Sequence, residues 1–137
     1  MNRIVVEVKG SEELYNKMKE LVRRNPETMR IMEDNTEKRL IIAGELEIDL
    51  QRQEVRVGNK KIILTSREFE ILVCLASHPG EVFSHCRIYE TVWKKKYFQD
   101  SANITAHIGH IRKKIEPDCR KPIYIQTVHG VGYRFGV

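Results

Sequence analysis

The hydrophobic pattern of this chain changes period twice, and that change restricts the folds open to it. Between residues 39 and 65 the apolar residues come in short runs, "RLIIAG", "ELEIDL", "QEVRV" and "KIILT". Gly44, the polar pair Gln51-Arg52 and Gly58-Asn59 divide them. Four short strands at this spacing predict an antiparallel meander. "RVGNKK" predicts a tight hairpin in which Gly58 and Asn59 take positive φ. From Thr65 onward the period is helical. Thr65 or Ser66 stands ahead of Glu68 and can cap a helix with apolar positions Phe69, Leu72, Val73 and Ala76, which His78-Pro79-Gly80 stops. Ser84 opens a second helix carrying Ile88, Val92 and Trp93. A third, residues 101–116, starts at Ser101, sets Ile104, Ile108, Ile111 and Ile115 on one stripe, and ends at Pro117. The strand period then returns in "IYIQTV" and "YRFGV", joined by the glycine-rich turn "HGVG".

Four strands, three helices and a terminal hairpin, with the third helix basic, outline an α+β fold: a winged helix-turn-helix with an N-terminal four-stranded antiparallel sheet. Ahead of it stands a strand-helix leader, residues 1–38. "RIVVEV" reads as a strand. Ser11 can cap a following helix, with Glu12 and Glu13 in its first turn and Leu14, Met18, Leu21 and Val22 on one stripe, before Asn25-Pro26 ends it. A piece this small cannot bury a core by itself, so the expectation is that it docks on residues 39–137, pairs with another chain as in a homodimer, or is partly mobile.

Charge is distributed unevenly. The net charge of the whole chain is +5, but residues 94–137 hold nine basic residues against three acidic ones, while residues 45–93 are slightly acidic. Such polarity suits a chain with one face toward a polyanion. No apolar run reaches the ~20 residues of a membrane span, and the N-terminus lacks a signal-peptide pattern, so a cytoplasmic protein is expected. Cys74, Cys86 and Cys119 form no C-x-x-C pair, which argues against a disulfide framework or a zinc knuckle and for incidental reduced thiols.

The third helix contains His107-Ile108-Gly109-His110. The same word is an ATP-binding signature of class I aminoacyl-tRNA synthetases, but there it occupies a strand-to-helix turn of a nucleotide fold. Here it lies within a helix with no glycine-rich βαβ unit before it. His107 and His110 share a helix face but lack the further ligands that a zinc site needs. A DNA-reading role fits better. At 100° per residue the four isoleucines cluster within about 60°, leaving Asn103, His107, His110 and Lys114 on a neighbouring face with Ala106 and Lys113 at its margin. A helix that buries isoleucines and exposes donors can enter the major groove, with Lys113, Lys114 and the helix N-terminus on phosphates. No triad, carboxylate pair or phosphate loop points to an enzyme, and no cofactor is expected.

The segments "LTSREFEILVCLASHPGEVFS", "VW", "NITAHIGHIRKKIE" and "TVHGVGYRF" resemble, in order, the OmpR/PhoB-type winged-helix DNA-binding domain over about residues 40–136. The resemblance implies that helix 101–116 reads the major groove and that the 127–134 wing reaches the minor groove. It implies base-facing positions at Asn103, Ala106, His107 and His110, and basic positions near phosphate or intramolecular carboxylates at Arg112 and Lys114. It further implies backbone-contacting positions at Trp93, Thr127 and Tyr133, a wing tip at His129, and a loop, Lys94–Asp100, through which family members touch RNA polymerase. Many members bind direct repeats as head-to-tail dimers. Departures are the histidines at 110 and 129, where the family often has Arg (or Trp at 129), Ala102, where Arg is frequent, and Gly109 at a commonly polar or basic position. Family members also carry a receiver domain of roughly 120 residues, of which the residues ahead of the sheet show no sign. The expectation is a bacterial regulator binding double-stranded DNA. A winged-helix protein-interaction module that has lost specific DNA binding is the alternative.

Overall fold

Each helix among the described residues starts just after a residue whose side chain closes its first turn. The computed structural model describes residues 3–8, 38–98 and 103–136. Two units divide it, Met1–Ile62 and Ile63–Val137.

The first unit is an antiparallel meander: β1 (Arg3–Val8), β2 (Lys38–Ala43), β3 (Leu46–Asp49), β4 (Glu54–Val57) and β5 (Lys60–Ile62), each hydrogen-bonded to the next in chain order. The four expected strands are present as β2–β5. The leader's strand joins them as a fifth, with Arg3 opposite Ala43 and Val8 opposite Lys38. The leader helix expected after Ser11 lies outside the described residues. β3 is buried along its whole length. The turn after it is organised by Asp49, whose Oδ1 accepts from the backbone N–H of Gln51 (3.1 Å) and Arg52 (3.0 Å), an acidic side chain standing in for a backbone acceptor. Positive φ falls partly elsewhere than expected. Gly58 takes it (63°) at the first position of the two-residue hairpin loop, but Asn59 does not; Gln53 does instead (55°). A glycine at the first central position already supplies the twist that the flanking strands need, so the second residue need not leave the ordinary region.

The second unit holds α1 (Ser66–Ala76), α2 (His85–Trp93), α3 (Ile104–Ile115) and the hairpin β6 (Ile125–Val128)–β7 (Gly132–Phe135). Thr65 and Glu68 close a capping box on α1: Oγ1 of Thr65 accepts from Glu68 N (3.2 Å) and Oε1 of Glu68 accepts from Thr65 N (2.9 Å). Ser84 caps α2 and Asn103 caps α3. Helix α3 therefore starts at Ile104, later than expected, because the side chain of Asn103 closes the first turn from outside it. Ser101 and Ala102 lie outside the described residues. At the other end Glu116 is extended (ψ 140°), as the residue before a proline tends to be.

The core of this unit gathers Ile71, Leu72 and Leu75 of α1, Ile88 of α2, and all four isoleucines of α3, with Phe83, Tyr124, Ile125 and Phe135 beneath the hairpin. Each buried isoleucine contributes about 1.5–3 kcal/mol. On α1 the buried stripe is broader than expected: Leu72 and Ala76 belong to it, Ile71 and Leu75 complete it, and Phe69 and Val73 are only half-buried. "FEILVCLA" is apolar almost all round, so its period does not single out one face.

Phe83, in the loop before α2, bridges to Tyr133 through two backbone hydrogen bonds (2.8 and 2.9 Å) and adds a third rung to the hairpin sheet. The approach is so close that a Cβ on Gly132 would lie 2.0 Å from the Phe83 carbonyl oxygen, which excludes every other residue there.

Candidate nucleic-acid interface

Helix α3 turns its four isoleucines inward, which leaves the opposite side to polar and small residues. Asn103, Thr105, His110, Lys113 and Lys114 are exposed; Ala106, His107, Gly109 and Arg112 are half-buried. The expected reading residues do not all point outward. Asn103 is spent in part on its cap, with Oδ1 accepting from Ala106 N at 3.0 Å. His107 leans on Trp93, ring centroids 5.6 Å apart, and Trp93 in turn stacks on Tyr89 at 5.0 Å. His110 and Lys113 stand on the outward side.

The three cations of the last turn of α3 also balance the negative end of its dipole. Two of them have partners inside the unit. Lys114 donates from Nζ to Oε1 of Glu68 at 2.6 Å and so ties α3 to the start of α1. Burial pushes the Glu68 carboxyl up, but the Lys114 ammonium and the Thr65 N–H and hydroxyl outweigh it and hold the group below the usual carboxylate value. Of the two environments expected for Lys114, phosphate or an intramolecular carboxylate, the structure supplies the second. The Arg112 guanidinium meets neutral wing oxygens, not a carboxylate. Nε (3.1 Å) and Nη2 (2.8 Å) both donate to the Ile125 carbonyl, and Nη2 also donates to Thr127 Oγ1 (2.8 Å).

The wing carries Thr127 opposite Tyr133 and Gln126 opposite Arg134, so alternate pairs face opposite sides. Thr127, His129 and Arg134 are exposed, and His129 begins the tip. Tyr133 is buried: its ring stacks on His85 at 5.4 Å and its hydroxyl reaches Thr105 Oγ1 at 3.5 Å. Glu116, the residue after α3, grips the approach to the wing. Its two oxygens accept from the backbone N–H of Ile123 (2.8 Å), Tyr124 (3.0 and 3.1 Å) and Ile125 (2.9 Å).

Several residues at this surface lay beyond the sequence reading. Arg67 places its guanidinium 4.8 Å from the Trp93 ring centroid and donates to the Val92 carbonyl (3.2 Å). Thr105 stands exposed in the first turn of α3, and Arg134 lies on the wing. The alternation of "YRF" marks Arg134 as outward, but nothing in the chain near Arg67 signals that two helix ends meet there. Of the loop Lys94–Asp100, the described part turns sharply at Lys94 (φ 56°) and folds back on α2, with the Tyr97 N–H on Glu90 at 3.1 Å and the Tyr97 ring edge-on to Tyr89. Lys94, Lys95, Lys96 and Phe98 are exposed.

Among the described residues no three His, Cys, Asp or Glu side chains converge as a metal site, and no helix is long and apolar enough to cross a membrane. Cys74 is buried, which pushes its thiol up to about 11; Cys86 and Cys119 are exposed.

Residues 59–135 match the family model described as transcriptional regulatory protein, C terminal. The chain is 38% identical over 120 residues to the DNA-binding response regulator MtrA of Mycolicibacterium smegmatis, covering 88% of this chain and 52% of the relative. The crystal structure of the Klebsiella pneumoniae RstA DNA-binding domain in complex with the RstA box superimposes with a TM-score of 0.65 at 27% identity, over 71% of this chain and 96% of that one. The response regulator DrrB of Thermotoga maritima, an OmpR/PhoB homologue, also gives 0.65, at 32% identity over 92% of this chain and 52% of that one. The chain spans about half the length of the curated relatives it matches.

Proposed function

We propose, from the fact that this chain belongs to the transcriptional regulatory protein C-terminal family, that it binds duplex DNA as a bacterial transcriptional regulator of the OmpR/PhoB type. The observation that carries the reading is α3 itself. It buries all four isoleucines, presents Ala106, His110 and Lys113 on the opposite side, and has the wing fastened beside it. In this reading Ala106, His107 and His110 face base edges in the major groove, with Asn103 at the helix mouth. Lys113 and Trp93 meet the phosphate backbone, and His129 leads the wing into the minor groove. Thr127 and Tyr133 stand behind that wing contact. The role is one of binding, not of catalysis, and its setting is the cytoplasm.

DNA binding is assigned to residues 39–137, and residues 1–38 act as a docking or dimerisation element; the pairing of β1 with β2 supports the docking form. RNA polymerase is proposed as a second partner, through the loop Lys94–Asp100, whose described part sets three lysines and Phe98 in solvent.

The test is retention of random duplex DNA at two salt concentrations, followed by sequencing. Salt-sensitive retention with an enriched motif supports the reading, because phosphate contacts release counterions. Retention without enrichment would reduce the role to non-specific binding. No retention at low salt would favour a winged helix that docks on protein.

A further inference from the structure

We infer that Arg112 is a positioning residue that locks the wing to the reading helix, and that it is not itself a phosphate ligand. The inference rests on the DNA-binding reading above for its effect on affinity, but its geometry stands in the free protein. A guanidinium has five N–H donors in a rigid fork. Three of the Arg112 donors point at β6: Nε and one N–H of Nη2 converge on the Ile125 carbonyl, and the other Nη2 N–H meets the Thr127 hydroxyl. Ile125 and Thr127 are two residues apart in β6, so the fork lies along one side of the strand. The guanidinium also stands 5.5 Å from the ring centroid of Tyr133, the residue paired with Thr127 on β7. One side chain of α3 therefore touches both strands of the wing.

The neighbouring cation shows what this does. Lys114 fixes α3 to α1 through Glu68, whereas Arg112 fixes the wing to α3. Glu116 adds a second tie from the same helix end to the backbone just before β6. Helix and wing are thus set at one distance from each other, and that distance decides whether two adjacent grooves of one duplex can be met together. A point charge on a flexible stem could still neutralise a phosphate from position 112, but it could not chelate one carbonyl and reach a hydroxyl at once.

The experiment compares the wild type with Arg112→Lys and Arg112→Gln on a duplex enriched by the selection above, over a range of salt. We expect both variants to bind about tenfold more weakly, with an unchanged salt slope. We expect His129→Ala to add little to either, because the wing contact is already loose. Amide exchange in the free variants should be faster at Val128 and Tyr133 while Ile108 and Ile111 keep their protection. A slope lowered by about one, rescue by lysine, or additive losses with His129→Ala would make Arg112 a phosphate ligand and overturn the inference, as would unchanged exchange in the wing. Failure of the wild type to bind would overturn the DNA-binding reading, a separate result, since the exchange rates decide the lock alone.

Discussion

Helix α3 and the outer half of the wing lie in the same unit and are held by opposite chemistry. The helix is anchored by Ile104, Ile108, Ile111 and Ile115, none more than 3% exposed. The wing is rooted in buried Ile125 and Phe135, but from Thr127 to Val131 its residues are exposed or half-buried. Its position there depends on directional bonds: the Phe83–Tyr133 bridge, the Glu116 carboxylate and the Arg112 fork. Apolar burial is non-directional and tolerates small shifts, whereas hydrogen bonds weaken steeply with angle. Helix α3 is therefore placed by the bulk of the core. The wing is aimed by a few polar groups, and two of those come from the end of the helix. Loosening the wing should leave the helix in place; moving the helix must carry the wing with it.

Ile108→Asp attacks the apolar anchor of α3. An unpaired carboxylate in a site with 0% exposure should unfold the unit outright, seen as loss of the cooperative thermal transition. On the wing side, Glu116→Ala leaves three backbone N–H groups without their acceptor. About 1 kcal/mol for each gives about 3 kcal/mol of destabilisation by chemical denaturation, with exchange rising first at Ile123–Ile125. If the helix amides open together with the wing, the two regions are not separable in the way described.

The tie between α3 and α1 responds to pH. Glu68 has a folded-state carboxyl below the ordinary value, so its tie to Lys114 contributes stability above the unfolded pKa and loses it as pH falls through the folded one. Stability of the wild type should decline on acidification through that window, and Glu68→Gln should flatten that part of the profile. Equal slopes in the two proteins would remove the Lys114 tie from the account of how α3 is held. The smallest expected effect is a gain. Gly109 lies within α3, and a Cβ there would meet nothing within 4 Å. Gly109→Ala should therefore stabilise the protein by about 0.5–1 kcal/mol in a melt. A loss of stability would mean that a neighbour fills that space.

Much of this architecture was legible from the chain because its signals are local. The isoleucine stripe, the Thr65/Glu68 capping box, Ser84 and Pro117 each act within four residues, and the structure uses all of them. α1 was less legible because almost every position in "FEILVCLA" is apolar. The fifth strand was readable as a strand, but its pairing with β2 joins residues 30 to 40 positions apart. The candidate interface divided along the same line. That α3 carries polar residues opposite its isoleucines follows from helical spacing. That Arg112 turns to a carbonyl 13 residues onward, that Lys114 turns to a carboxylate 46 residues back, and that Asn103 stands outside the helix as its cap do not. Two cations two residues apart look alike in sequence; only the positions of β6 and α1 tell them apart.

The short bridge at Phe83 has a further consequence, for the behaviour of the molecule among its neighbours. A two-stranded ribbon ordinarily offers two open edges to which a foreign strand can add. In this hairpin the outer edge of β7 is taken at Tyr133 by Phe83 and at Phe135 by the Gly80 N–H (3.0 Å), while on β6 the Ile125 carbonyl is taken by Arg112. The ribbon is thereby closed to sheet extension at its root.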